Sequence, residues 1–387
     1  MRKIGVVTVS RSDYGIYLPI LQAIRQEPTL ELCLFVSGTH LLSGFGKTID
    51  LIEAEGFKIA EKVEILMASD SPEGIAHSMG MGLIGFSSAY SRQVPDILLV
   101  LGDRFEMHSA ALAALPFRIP VAHIHGGEET VGAIDNSLRH SITKLSHLHF
   151  ASTEEYARRI IQMGEEPWRV IVSGAPSLDN LRAMPLLTVS QLKDKYHVDV
   201  QNRFLLVTFH PVTLEYENVE WQTNELLAAL DVCGLPIIFT MPNADTNGRM
   251  IRKLINEYVA THPQAQAFEN LGTQGYFSLA SHAAAMVGNS SSGIIEAASF
   301  KLPVVNIGTR QKGRTHARNV INVGYNHAEI LAGITQALEP AFRKQLDDLV
   351  NPYGDGCASE RIIAKLKSTQ LEEKLVCKPF YDIKVEL

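Results

Sequence analysis

"KIGVVTVSRSDYGIYLPILQAIRQE", residues 3–27, decides the fold. An apolar run rich in valine comes first, without polar alternation, which describes a strand covered on both faces. The polar turn "SRSDYG" follows, and then a helical pattern that places Tyr17, Leu18, Leu21 and Ile24 on one face. Strand, polar turn and helix together make the repeating unit of a parallel α/β sheet.

The unit recurs. "ELCLFVS" (31–37), "DILLVLGD" (96–103), "IPVAHIHGG" (119–127) and "LHFAST" (148–153) are expected strands, with helical patterns between them. The second half repeats the logic in "RFLLVTF" (203–209), "LPIIFTM" (235–241), "AAMVGNS" (284–290) and "LPVVNIG" (302–308). A length of 387 residues suits two domains rather than one core. The turn-rich stretch 173–192 is the expected boundary, giving domains over 1–180 and 190–352, and the tail 369–387 carries no pattern that assigns it a structure or role. Two Rossmann-like, doubly wound domains would leave a cleft between the carboxyl ends of their strands, where such folds bind ligands.

A formal charge of −7 argues against a nucleic-acid partner, and no apolar run approaches the roughly 20 residues that span a bilayer. "MRKIGVVTVS" is too short an apolar run for a signal peptide. Cys33, Cys233, Cys357 and Cys377 form no CxxC pair and suit reduced thiols in a cytoplasmic protein. With no GxGxxG and no GxxxxGK[ST], neither a dinucleotide cofactor nor a P-loop is expected.

Polar residues just after each strand are rich in chemistry. Arg11, Ser12 and Asp13 open a helix, where they suit a phosphate or simply cap it. "VGNSSSGIIEAASF" (287–300) runs a strand into Ser290, Ser291 and Ser292, an anion site of free N–H groups and hydroxyls, with Glu296 placed to accept from ribose hydroxyls. The bland alternative is a serine-capped helix with an acidic first turn. His210 ends a strand, either as a group facing the cleft or as a core histidine. Arg310, Lys312 and Arg314 can offset a diphosphate or face solvent. Asp103, at the end of an expected central strand, is costly to bury unless paired or functional; an ion pair with Arg104 is the structural alternative.

"HIHGGEETVGAIDNSLRH" (123–140) brings three histidines together with Glu128 and Asp135. HxH plus carboxylates could imitate a zinc site, yet no HExxH is present and no metal is expected. Its glycines let backbone approach a ligand, and Asp135 and Arg139 fall four apart on one helical face. Several carboxylates in one cleft invite divided acid and base roles.

"SRSDYG", "SGTHLL", "LGDRFE", "HIHGGE…AIDNSLRHSITKLSH", "HPVT", "PNAD", "GNSSSGIIE" and "GTRQKGR", in that order over residues 3–368, resemble the hydrolysing UDP-N-acetylglucosamine 2-epimerases of sialic-acid synthesis. The resemblance implies an α/β fold of glycosyltransferase-B type whose C-terminal helix (355–368) crosses back to the first domain. It also implies no metal, no cofactor, and a homodimer or homotetramer associating through the first domain. Carried over by motif, Arg11, His210, Ser290, Ser291, Glu296 and Arg310 contact UDP, as do Asn243 of "PNAD" and Leu271 and Tyr276 of "LGTQGYFSL". His40, Arg104 and Arg139 serve the sugar, and Asp103 and Asp135 are the catalytic carboxylates, with His210 as a further acid. Where some members have glutamate this chain has His125, which leaves Glu128 as the alternative carboxylate.

The activity so implied converts UDP-N-acetylglucosamine to N-acetylmannosamine and UDP. UDP-N,N'-diacetylbacillosamine is the alternative substrate. A retaining glycosyltransferase of the same architecture and a non-catalytic nucleotide-sugar sensor are the readings from other classes.

Overall fold

The computed structural model describes residues 1–42, 48–67, 71–129, 134–199, 203–242, 248–269 and 271–384. The chain forms two compact units. One comprises residues 1–128, 134–180 and 353 onward; the other is chiefly Leu181–Pro352.

The first unit is a seven-stranded parallel sheet of order β3-β2-β1-β4-β5-β6-β7, its strands being β1 (Arg2–Thr8), β2 (Leu30–Ser37), β3 (Ile59–Val63), β4 (Ile97–Leu101), β5 (Val121–Ile124), β6 (Leu148–Ala151) and β7 (Val170–Val172). The second is a six-stranded parallel sheet of order β10-β9-β8-β11-β12-β13, from β8 (Leu205–Thr208), β9 (Ile237–Thr240), β10 (Ala265–Phe268), β11 (Ala285–Gly288), β12 (Val304–Ile307) and β13 (Val320–Val323). Helices connect the strands, so each sheet is doubly wound. Strand order reverses between β1 and β4 in one sheet and between β8 and β11 in the other. These switch points leave room for a ligand beyond the strand ends.

The interior strands are continuously buried, as their unbroken apolar composition requires. Every strand that escaped the sequence reading (β3, β7, β10 and β13) is a sheet edge with half-exposed residues. An edge strand need not be apolar on both faces, so "IAEKV" and "AQAF" carry no strong signal. The expected strand 119–127 shortens to Val121–Ile124 because His125 takes a φ of +63° and leaves the sheet. In the helix Arg11–Gln26, Tyr17, Leu21 and Ile24 are buried together with Tyr14 and Ile20; Leu18 lies at the stripe's margin and is half-buried.

The helix Ala358–Ser368 belongs to the first unit, where Ile362 and Leu366 join the core. Asp179, just before the chain leaves this unit, caps that helix by accepting from the N–H groups of Ala358 (2.9 Å) and Ser359 (2.6 Å). The tail has a structure after all: a short helix, Glu373–Val376, buries Leu375, and the fully buried Arg169 donates to the carbonyls of Lys374 (2.8 Å) and Leu375 (2.9 Å). No helix among the described residues is long and apolar enough to cross a membrane.

Candidate active site

In the first unit the turn after β1 folds back on itself. The Asp13 carboxylate accepts from the backbone N–H of Val9 (2.7 Å) and Ser10 (2.6 Å), forming a capping box with Ser10. Desolvation still raises the Asp13 carboxyl above its ordinary range. Arg11 and Ser12 lie exposed on the same turn. His40 is fully buried with both ring nitrogens occupied, Nε2 by the Thr8 hydroxyl (2.9 Å) and Nδ1 by that of Thr48 (2.6 Å). The expected sugar contact is therefore a packed neutral histidine, held down to about pKa 4 by burial and the nearby Arg104 charge.

Across the switch point, Asp103 and Arg104 follow β4. They do not pair with each other. Arg104 makes a two-pronged contact with the fully buried Glu106 (3.1 and 2.8 Å), and Asp103 pairs with Arg139 from the helix Ile134–Leu145. Burial opposes the Arg104 charge, but Glu106, Asp13 and Asp103 outweigh it.

Arg139 is itself buried, and its other arm reaches Glu128 (3.1 Å). The same Glu128 carboxylate accepts from Ser152, after β6, at 2.8 Å and contacts His125 Nδ1 at 2.5 Å. The half-buried Asp103 and the buried Arg139, Glu128 and His125 thus form one connected chain of polar contacts. Arg139, expected to serve the sugar, contacts two carboxylates. Asp135, one turn earlier on the same helix face, is half-buried; desolvation and the Asp103 charge raise its carboxyl above the ordinary range. Environment therefore separates the carboxylates.

His123 places Nε2 on the Gly102 carbonyl (2.7 Å) and Nδ1 on the Thr143 hydroxyl (3.2 Å), and burial lowers it to about pKa 3. Both nitrogens are engaged in packing. No group of three or more histidine, cysteine or carboxylate side chains among the described residues is arranged to hold a metal.

In the second unit Asn289, immediately after β11, organises the switch point. Its side-chain amide grips the backbone of His210, after β8, in both directions: Oδ1 accepts from the His210 N–H (2.7 Å) and Nδ2 donates to its carbonyl (2.8 Å). Its own carbonyl accepts from Arg310 (3.0 Å) and Gln311 (2.8 Å), which follow β12. One fully buried residue therefore ties three loops. Gly288 precedes it at φ +134°, and a Cβ there would lie 2.0 Å from the Thr208 carbonyl oxygen, so only glycine fits between β8 and β11. Burial and the Arg310 charge push the His210 imidazole to about pKa 3.

Ser290 caps the next turn by accepting from Ser292 N–H (3.3 Å), and Ser291 begins it. The helix is shorter than expected, Ser291–Ile295, giving way to a 3-10 turn at Ala297–Phe300 with Glu296 buried at the junction. So short a helix has little dipole, so an anion at this turn would have to be held by local N–H groups, hydroxyls and Arg310. Burial raises the Tyr276 phenol above its ordinary range and the Glu296 charge adds to the rise, while the hydroxyls of Ser292, Thr208 and Ser290 oppose it. Leu271, in contrast, is buried in the core beneath the sheet, so its side chain serves packing. Asn243 lies outside the described residues. Lys312 is exposed and Arg314 half-buried beside Arg310.

Ser152 and Asn289 were missed by the sequence reading, although both directly follow a strand, the rule that found Asp103 and His210. Gln311 had no such signal.

Two doubly wound parallel sheets in one chain, each with its polar residues at the switch point, define an α/β protein of glycosyltransferase-B type. A crystal structure of the Neisseria meningitidis UDP-GlcNAc 2-epimerase bound to UDP-GlcNAc matches the fold with a TM-score of 0.81 over 95% of this chain and 100% of that one, at 21% identity. Residues 22–367 match the family model for UDP-N-acetylglucosamine 2-epimerase, and the chain belongs to that family of enzymes. Among similar proteins, the Legionella pneumophila UDP-N,N'-diacetylbacillosamine 2-epimerase (hydrolyzing) is 38% identical, over 98% of this chain and 99% of its own. The Campylobacter jejuni GDP/UDP-N,N'-diacetylbacillosamine 2-epimerase (hydrolyzing) is 40% identical, over 84% and 85%.

Proposed function

We propose that the chain is a hydrolysing 2-epimerase of a UDP-linked 2-acetamido sugar, releasing UDP and the free sugar inverted at C2. The observation that carries the reading is the division of chemistry between the two switch points. One offers a cation, hydroxyls and a neutral histidine around Asn289. The other gathers Asp103 and Glu128 on Arg139, with the Asp135 carboxyl raised by burial and the Asp103 charge.

The reaction needs both kinds of group. The hydrogen on C2 of such a sugar is not acidic, since no carbonyl activates it. As UDP departs, positive charge grows at C1 and acidifies C2–H. Arg310, the serine hydroxyls and His210 stabilise the negative charge gathering on the diphosphate, which drives the elimination electrostatically. Removal of the C2 proton then leaves a 2-acetamidoglucal. Water adds to C1, and a proton returned to C2 from the opposite face inverts that centre.

The 38–40% identity to relatives named for diacetylbacillosamine favours UDP-N,N'-diacetylbacillosamine as the substrate. UDP-N-acetylglucosamine, with N-acetylmannosamine as product, is the second reading, favoured by the family model that the chain matches. Proton NMR of each candidate with the enzyme in deuterated water tests both. Release of UDP with free sugar of inverted C2 configuration and deuterium at C2 is expected. Retained C2 hydrogen would remove the mechanism, and transfer of the sugar to an acceptor would indicate a glycosyltransferase instead.

A further inference from the structure

Glu128 is committed away from substrate. It is 2% exposed, its carboxylate contacting His125 and Ser152 through Oε1 and Arg139 through Oε2. A carboxylate held against a buried guanidinium stays ionised and can only accept. The 2.5 Å contact with His125 Nδ1 therefore requires hydrogen on Nδ1, and in the neutral ring the lone pair is then on Nε2. Among the described residues Nε2 makes no hydrogen bond.

The backbone is arranged for this ring. His125 holds a φ of +63°, a left-handed conformation that is strained for a residue with a Cβ, at the carboxyl end of an interior strand, while its N–H keeps a bond to the Phe150 carbonyl (3.2 Å). The charged and titratable groups around it are Glu128 on its own loop, Arg139 beyond that, Asp103 on the far side of Arg139, and the neutral His123 two residues earlier. An imidazolium formed at His125 would thus face Glu128 directly.

We propose that His125 Nε2 is the base of the elimination and that Glu128 is a positioning residue that fixes its tautomer and holds its charged form, an inference that rests on the hydrolysing 2-epimerase reading above. The Nε2 lone pair takes the hydrogen from C2. The electrons of the C2–H bond become the C1–C2 π bond, and those of the C1–O bond leave with UDP. In the hydration, water oxygen bonds to C1 while the π electrons take a proton from the Asp135 carboxyl at C2. The proton shed by water restores Asp135, and His125 returns its own to solvent. Asp135 suits the acid role because burial and Asp103 favour its protonated form.

The test pairs a spectroscopic readout with turnover. In protein labelled with ¹⁵N-histidine, wild-type His125 should show a protonated Nδ1 and an unprotonated Nε2. His125→Gln should lower kcat by about 10²–10⁴-fold with KM within about threefold, and added imidazole should restore part of the activity of His125→Ala. Glu128→Gln should give mixed tautomers and a smaller kcat loss, about 10–100-fold, while Glu128→Asp, which keeps an anionic acceptor, recovers part of both. Hydrogen on Nε2 in the wild type would overturn the proposal even if no variant folded. So would a Glu128→Gln loss equal to that of His125→Gln with the tautomer unchanged, since Glu128 would then be the proton carrier. A wild-type enzyme that releases no UDP from either sugar would sink the functional reading and this inference with it, whereas the other failures sink only the inference.

Discussion

Mild acid should weaken the first unit at a pH still above the ordinary carboxylate range. Three of its histidines are buried and held neutral: His40 and His147 near pKa 4, and His123 near 3, in each case first by desolvation. In the unfolded chain they titrate near the usual value of about 6.5. Between pH 6.5 and their folded values the unfolded state binds the protons and the folded state does not, so stability falls as pH falls. At about 1.4 kcal/mol per unit, lowering the pH to 5 costs about 2 kcal/mol for each histidine, about 6 kcal/mol together. That is a large part of the 5–15 kcal/mol typical of a folded domain. Asp13 and Asp135, held above their ordinary range, work in the opposite sense and trim the total. Glu165, held near 2, contributes only below its unfolded value of about 4.5, outside this window. The assay is urea unfolding at pH 7.5 and 5.0, followed by Trp168 fluorescence in a Trp221→Phe background so that the signal belongs to the first unit. The midpoint should fall strongly at pH 5 with little change in slope. An unchanged midpoint, or NMR titration of His123 near 6.5, would refute the burial argument.

Asn289→Ala should strand the N–H and carbonyl of His210, destabilising the second unit by about 2–3 kcal/mol and weakening UDP binding at least tenfold by calorimetry. UDP binding should raise the His210 titration from its depressed value, because the diphosphate offsets the Arg310 charge; an unmoved resonance on saturation would exclude this loop from the site. Arg139→Leu should cost about 3–5 kcal/mol in urea unfolding by removing the cation that Asp103 and Glu128 share, and Arg139→Lys should not restore it, since one ammonium does not reproduce the forked contact.

The interior of both sheets was legible because a strand covered on two faces must be apolar throughout, and "GVVTV" or "ILLVL" admits few other readings. The four edge strands were not, since one exposed side relaxes that demand. The rule that polar residues after a strand gather at the ligand site found Asp103, His210 and Ser290. It could not say which of them face one another. Arg104 chose Glu106 over Asp103, and Asp103 chose Arg139 from a helix more than thirty residues away. Such choices depend on how a loop turns, as with the positive φ at His125, which nothing in "HIHGG" required. The tail was illegible for a related reason: its anchoring contacts use backbone carbonyls, which leave no trace in residue type.

The carboxylates near β4 and β5 differ less in chemistry than in company, and company sets what each can do. Glu128, enclosed by a guanidinium, a hydroxyl and an imidazole, is an acceptor with no room to exchange a proton with substrate. Asp103 contacts the same guanidinium, and the Asp103 charge is one reason, after burial, that the Asp135 carboxyl is raised. Inversion at C2 requires a base on one face of the sugar and an acid on the other, at the same pH. Arg139 serves this requirement without touching the reaction: its contact with Glu128 supports the tautomer of His125, and beside Asp103 its own charge tempers the rise that burial and Asp103 impose on Asp135. Removing its charge should therefore disturb acid and base together, and a loss of kcat in Arg139→Leu confined to either C2 deprotonation or glucal hydration would contradict that coupling.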